Sequence, residues 1–119
     1  MSNIGQAHGR VLDLGHSAVI PPGEGRIFEV GSSRVAIFRT RRGELFATQA
    51  ECPHRGGPLA DGIVGEGRVV CPLHGLEFDL RTGEAVARQC EPLVTYAVGE
   101  SADGRILLGP ALDRTVAHA

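Results

Sequence analysis

The turn punctuation of this chain leaves little room for anything but short strands. Gly-centred clusters recur along it: GSS at 31–33, RRG at 41–43, GEG at 65–67, RTG at 81–83 and ADG at 102–104. Between them lie runs of four to six residues rich in β-branched and aromatic side chains, at 10–14, 26–30, 34–39, 44–48, 68–71, 76–79, 93–98 and 105–108. Short apolar runs bounded by turn residues at near-even spacing predict an all-β protein, an antiparallel sandwich or barrel. Val35 and Ile37, and again Val94, Tyr96 and Val98, follow the period of two expected of strands with one buried face. No window carries a capped helical stripe, so helix should be nearly absent.

The chain has 119 residues, which suits one domain with a real core. Leu, Ile, Val and Phe supply 32 of them, too many for a disordered chain. A net charge of −2 argues against a nucleic-acid binder. All twelve basic residues are Arg, a bias that fits genome composition better than a need for guanidinium chemistry. No apolar run approaches 18 residues, and the start MSNIGQAHGRVLDL lacks the basic-then-apolar layout of a signal peptide. The expectation is a cytoplasmic protein that does not enter a membrane.

One segment breaks the hairpin rhythm. Residues 49–87 crowd in six glycines and two prolines at 56–75 and carry two mixed Cys/His pairs. The expected division is a base at about 10–48 and 88–110, an inserted subdomain at about 49–87, and tails at 1–9 and 112–119. Cys52 and His54 stand two apart, Cys71 and His74 three apart, with 16 residues between the pairs. Each loop therefore offers one thiolate and one imidazole. A zinc site of two cysteines and two histidines usually groups its cysteines together, because a single tetrahedral centre is all it must surround. A [2Fe–2S] cluster has two irons, and when one takes both cysteines and the other both histidines, two mixed loops can grip it from opposite sides. The iron–sulfur reading is preferred; a zinc-bound structural or interaction module is the alternative from another class.

CPHRGGPL and CPLHGLEFDLRTGEA resemble the two cluster-binding loops of Rieske-type iron–sulfur proteins, and the resemblance runs from about Val11 to Pro110. It implies an antiparallel β-sandwich base with a small cluster-binding subdomain. It also implies that Cys52 and Cys71 bind one iron of a Rieske [2Fe–2S] cluster while His54 and His74 bind the other. Pro53 and Pro72 should stiffen the loops, and Gly56, Gly57 and Gly75 should allow left-handed backbone or close approach. Leu59 and Leu73 either shield the cluster or belong to the core. Pro92 falls where the family has a third loop over the cluster. Respiratory members of the family cross-link their loops with an extra cysteine in each; Gly57 and Leu73 stand at those positions here. Such members also place hydroxyls near the cluster where this chain has Leu76 and Phe78, which implies a potential toward the low end of the Rieske range. Cys90 is expected to be a structural thiol. Arg55 and Glu91 are candidates for partner docking or plain solvated loop residues, and His8, His16 and His118 should face solvent.

The chain shows no dinucleotide fingerprint and no His/His/carboxylate set for mononuclear iron. What it can do is accept and pass on one electron, with redox proteins as partners and no catalytic residues of its own. Two stretches, 21–62 and 79–98, look most like the small subunit of a cytoplasmic NAD(P)H-dependent nitrite reductase. The alternative placement is a ferredoxin that shuttles electrons from a reductase to an aromatic-ring dioxygenase or similar oxygenase.

Overall fold

The computed structural model describes residues 11–53, 56–73, 75–86 and 90–112. Among the described residues nine strands form: β1 Leu12–His16, β2 Glu24–Val30, β3 Ser33–Arg39, β4 Leu45–Gln49, β5 Ile63–Gly65, β6 Arg68–Val70, β7 Glu77–Asp79, β8 Thr95–Glu100 and β9 Arg105–Ala111. The only helical pieces among the described residues are two single 3₁₀ turns, Ser17–Val19 and Leu59–Asp61. The all-β expectation is met. Six strands make one nearly closed antiparallel sheet in the order β1-β9-β8-β4-β3-β2, and β5-β6-β7 make a second, small sheet.

The topology explains where the unusual segment sits. β4 and β8 are hydrogen-bonded neighbours, pairing Ala47 with Tyr96 and Thr48 with Thr95. The chain leaves the large sheet after β4, builds the small sheet and its loops, and returns as β8 on the adjoining position. The small sheet is thus anchored at both ends by one pair of strands.

β3 differs from its expected half-burial. Val35, Ala36, Ile37 and Phe38 are all buried, at 1% exposure or less. Val35 and Ile37 point into a core with Ile20, Ala47, Ile106 and Leu108. Ala36 and Phe38 point the other way, into a second core with Leu59, Val64, Val69, Leu76, Phe78, Leu80 and Leu93. Alternation along the strand therefore sorts side chains between two cores rather than between core and water. In the small sheet Val64, Val69 and Phe78 lie in register across β5, β6 and β7 and supply its buried face. Fully burying one such side chain stabilises by about 1.5–3 kcal/mol, so this second core ties the inserted segment firmly to β3.

Several element boundaries also differ: β2 begins two residues earlier than its run predicts, β8 lies two residues later and β9 ends three residues later. β1 runs two residues later than the 10–14 run predicts, and β5 lies in a stretch where no strand was expected. At the β1–β9 seam a register shift follows Asp13. There the Gly15 amide and the Arg105 guanidinium hold the Asp13 carboxyl below the usual carboxylate range.

Candidate metal centre

The two cysteine loops are the same backbone device used twice. In the first, the Cys52 amide donates to the Gly57 carbonyl at 2.8 Å and the Gly56 amide donates to the Cys52 carbonyl at 2.7 Å. In the second, the Cys71 amide donates to the Leu76 carbonyl at 2.7 Å and the Gly75 amide to the Cys71 carbonyl at 3.0 Å. The offsets from the cysteine, five residues and four, are identical. A proline follows each cysteine and fixes its own φ without needing a partner for an N–H. The residue four places on must turn left-handed: Gly56 has φ +74° and Gly75 φ +71°, a region that disfavours a side chain by about 1–2 kcal/mol. The frames match although the histidine falls two places after Cys52 and three after Cys71.

The sulfurs sit at the base of these frames. Cys52 is 2% exposed and Cys71 1%, both within the core shared with β3. Gly57 brings the loops together. A methyl group at Gly57 would stand 2.8 Å from the Cys71 Sγ and 3.0 Å from the Leu73 side chain. The same glycine accepts the Cys52 amide, so one residue touches both frames. Leu73 itself is 54% exposed and belongs to the surface, whereas Leu59 is fully buried in the core. His54, Arg55 and His74 lie outside the described residues, as do His8 and His118. Among the described residues no three His, Cys, Asp or Glu side chains gather into a metal-binding group. The donor chemistry that is described fits a thiophilic metal group: two buried cysteines on matched loops that approach so closely that a Cβ at position 57 would crowd Cys71 Sγ.

Residues 10–97 match the Rieske [2Fe-2S] domain. The chain belongs to the Rieske [2Fe–2S] family. That family membership brings a [2Fe–2S] cluster, and the protein is a Rieske electron carrier. It is 41% identical over 81 residues to the biphenyl dioxygenase ferredoxin subunit of Pseudomonas sp. strain KKS102, which covers 66% of this chain and 73% of that one. The structure overlays on the ferredoxin of carbazole 1,9a-dioxygenase from Nocardioides aromaticivorans IC177 with TM-score 0.75 and 27% identity, over 84% of this chain and 97% of that one. It overlays on a Mycobacterium tuberculosis protein described as an NADH-dependent nitrite reductase small subunit with TM-score 0.79, over 88% and 98% of the two chains. Identity there is 22%, so that overlay speaks to the fold. Against apoptosis-inducing factor 3 of mouse and human, the chain spans 11% of the relative's length, at 38% identity over 69 residues.

A third segment closes on the two Rieske loops. Leu93 is fully buried in the core that holds both sulfurs, and its amide donates to the Gly83 carbonyl at 2.7 Å. Pro92 is half-buried and Glu91 exposed. Cys90 is half-buried against the same core with a free thiol, as expected of a structural cysteine. His16 is exposed, and its Nδ1 accepts the Ala18 amide. Gln49 escapes the sequence reading altogether. Its side chain donates to the Glu51 carbonyl at 2.7 Å and accepts the Val94 amide at 2.8 Å. The signal was a polar residue three places before the first cysteine, indistinguishable in sequence from a solvated strand end.

Proposed function

We propose that Cys52 and Cys71 hold one iron and His54 and His74 the other, and that residues 49–87 form the cluster-binding subdomain of a single domain. The bound cluster supplies a site that takes up one electron and releases it again. The chain's own residues position it: the two proline-stiffened frames fix the cysteines, and the core beneath them excludes water from the sulfur side. The observation that carries this reading is the repeated frame, in which two short loops of different histidine spacing present their cysteines through the same hydrogen bonds. Electrons pass at the histidine edge to a separate oxidoreductase partner.

Two partner systems are in play. Stretches 21–62 and 79–98 support the small subunit of an NAD(P)H-dependent nitrite reductase-like system in the cytoplasm. The 41% identity to a biphenyl dioxygenase ferredoxin subunit supports the second reading, a ferredoxin that serves an oxygenase. The dithionite-reduced protein should be reoxidised rapidly by one of two acceptors, a sirohaem nitrite reductase subunit with nitrite or a terminal ring-hydroxylating oxygenase with substrate, and the faster acceptor decides between them. The purified protein should be coloured and give a low-g EPR signal after reduction. A colourless zinc protein without that signal would overturn the cluster assignment, and His54→Ser with an unaltered signal would remove His54 from the ligand set.

A further inference from the structure

We propose that Gln49 is a positioning residue whose side-chain amide sets how closely segment 90–93 lies against the core that holds Cys52 and Cys71, and through that the reduction potential. The proposal rests on the ligand reading above.

β4 and β8 part after two paired positions. Their ladder ends at Thr48 and Thr95. One further bond continues it, from the Gln49 amide to the Val94 carbonyl at 2.9 Å. The reciprocal bond of a regular antiparallel rung would run from the Val94 amide to the Gln49 carbonyl. Here the Val94 amide goes instead to the Gln49 Oε1 at 2.8 Å, while the Gln49 carbonyl accepts the Thr48 hydroxyl at 2.7 Å. A side chain has replaced the backbone in the last rung, and that frees the two chains to diverge toward their loops.

The other end of the same amide holds the departing chain. Nε2 donates to the Glu51 carbonyl at 2.7 Å. That carbonyl shares a peptide unit with the Cys52 amide, which donates to Gly57. A continuous chain of dipoles therefore runs from Gln49 through the Glu51–Cys52 peptide into the first frame, each bond polarising the next. The amide orientation is fixed by its partners, because the Val94 N–H can only donate and the Glu51 C=O can only accept. One planar group thus sets the distance between the strand leaving for Cys52 and the strand arriving from the buried Leu93.

Loosening that joint has a definite electrical sign. With neutral imidazoles, two ferric ions are balanced by two sulfides and two thiolates, so reduction leaves one net negative charge. Water admitted beneath segment 90–93 favours this more charged form, so the midpoint potential rises.

The test compares the holoprotein with Gln49→Met, which keeps the side-chain length without an N–H donor, and with Gln49→Asn, whose shortened amide reaches one partner at most. Ile37→Val, in the other core, serves as a stability control. Hydrogen-exchange mass spectrometry over the peptide containing Val94 should show that amide opening about tenfold faster in Gln49→Met, the equivalent of about 1.4 kcal/mol. Redox titration followed by EPR should show an upward shift of the midpoint with the Rieske signal retained, while Ile37→Val lowers Tm with an unshifted midpoint. An unshifted or lowered midpoint in the Gln49 variants overturns the proposal, as does unchanged exchange at Val94. If Gln49→Met does not fold, Gln49→Asn decides by the same two readings. A wild-type protein without a Rieske signal would instead sink the ligand assignment, and the exchange measurement would still report on the joint.

Discussion

At the scale of single residues, the metal centre depends as much on an absent side chain as on the ligands. Position 57 combines two demands, contact with Cys71 Sγ and acceptance of the Cys52 amide, and only a residue without Cβ meets both at the observed spacing. Gly57→Ala would place a methyl 2.8 Å from a sulfur that is 1% exposed and fixed in its frame. Overpacking of this kind costs about 1–3 kcal/mol. The variant should assemble with less iron and sulfide per chain and melt at lower temperature. Adding Leu73→Ala relieves the contact with an exposed leucine but not the one with sulfur, so the double variant should remain deficient. Full iron content in Gly57→Ala would show that the first loop yields more readily than its hydrogen bonds indicate.

Among the elements, β3 links the electron-carrying part to the base. Its two faces make separable predictions. Ile37→Ala removes a side chain from the core formed with Ile20, Ala47, Ile106 and Leu108, and should cost about 2–5 kcal/mol. Phe38→Ala opens the core that contains Cys52 and Cys71, and should cost about 3–5 kcal/mol. Both variants should lower Tm, but only Phe38→Ala should accelerate cluster loss on dilution into chelator, followed by bleaching of the visible absorption. Equal bleaching rates in the two would mean that the cores are not energetically distinct. The sequence made most strands legible because Gly-rich turns and β-branched runs act locally. It hid the two-sided burial of β3, since VAIF alternates one apolar residue with another and Ala36 offers little contrast. It hid β5 for the opposite reason: three residues with Ile63 at 74% exposure carry almost no periodic signal. Gln49 was illegible because its role is to replace a backbone carbonyl, a matter of where two strands diverge rather than of residue type.

For the whole molecule, the arrangement of two cores determines what surrounds the cluster electrically. The sulfur-bearing core is lined by Leu59, Val64, Val69, Leu76, Phe78, Leu80 and Leu93. The buried hydroxyls among the described residues are Ser17, Thr40, Thr48 and Thr95, and the register of β3, β4 and β8 puts Thr48 and Thr95 on the face of Ala36, toward that core. The Thr48 hydroxyl is committed to the Gln49 carbonyl and so is not spare to donate elsewhere. A lining that is apolar apart from these two threonines gives the extra negative charge of the reduced state little stabilisation. The midpoint should therefore fall near the lower end of the Rieske range, about −150 mV rather than about +300 mV. Voltammetry of the wild-type protein at neutral pH measures it directly, and a value well above zero would mean that donors beyond this core control the cluster.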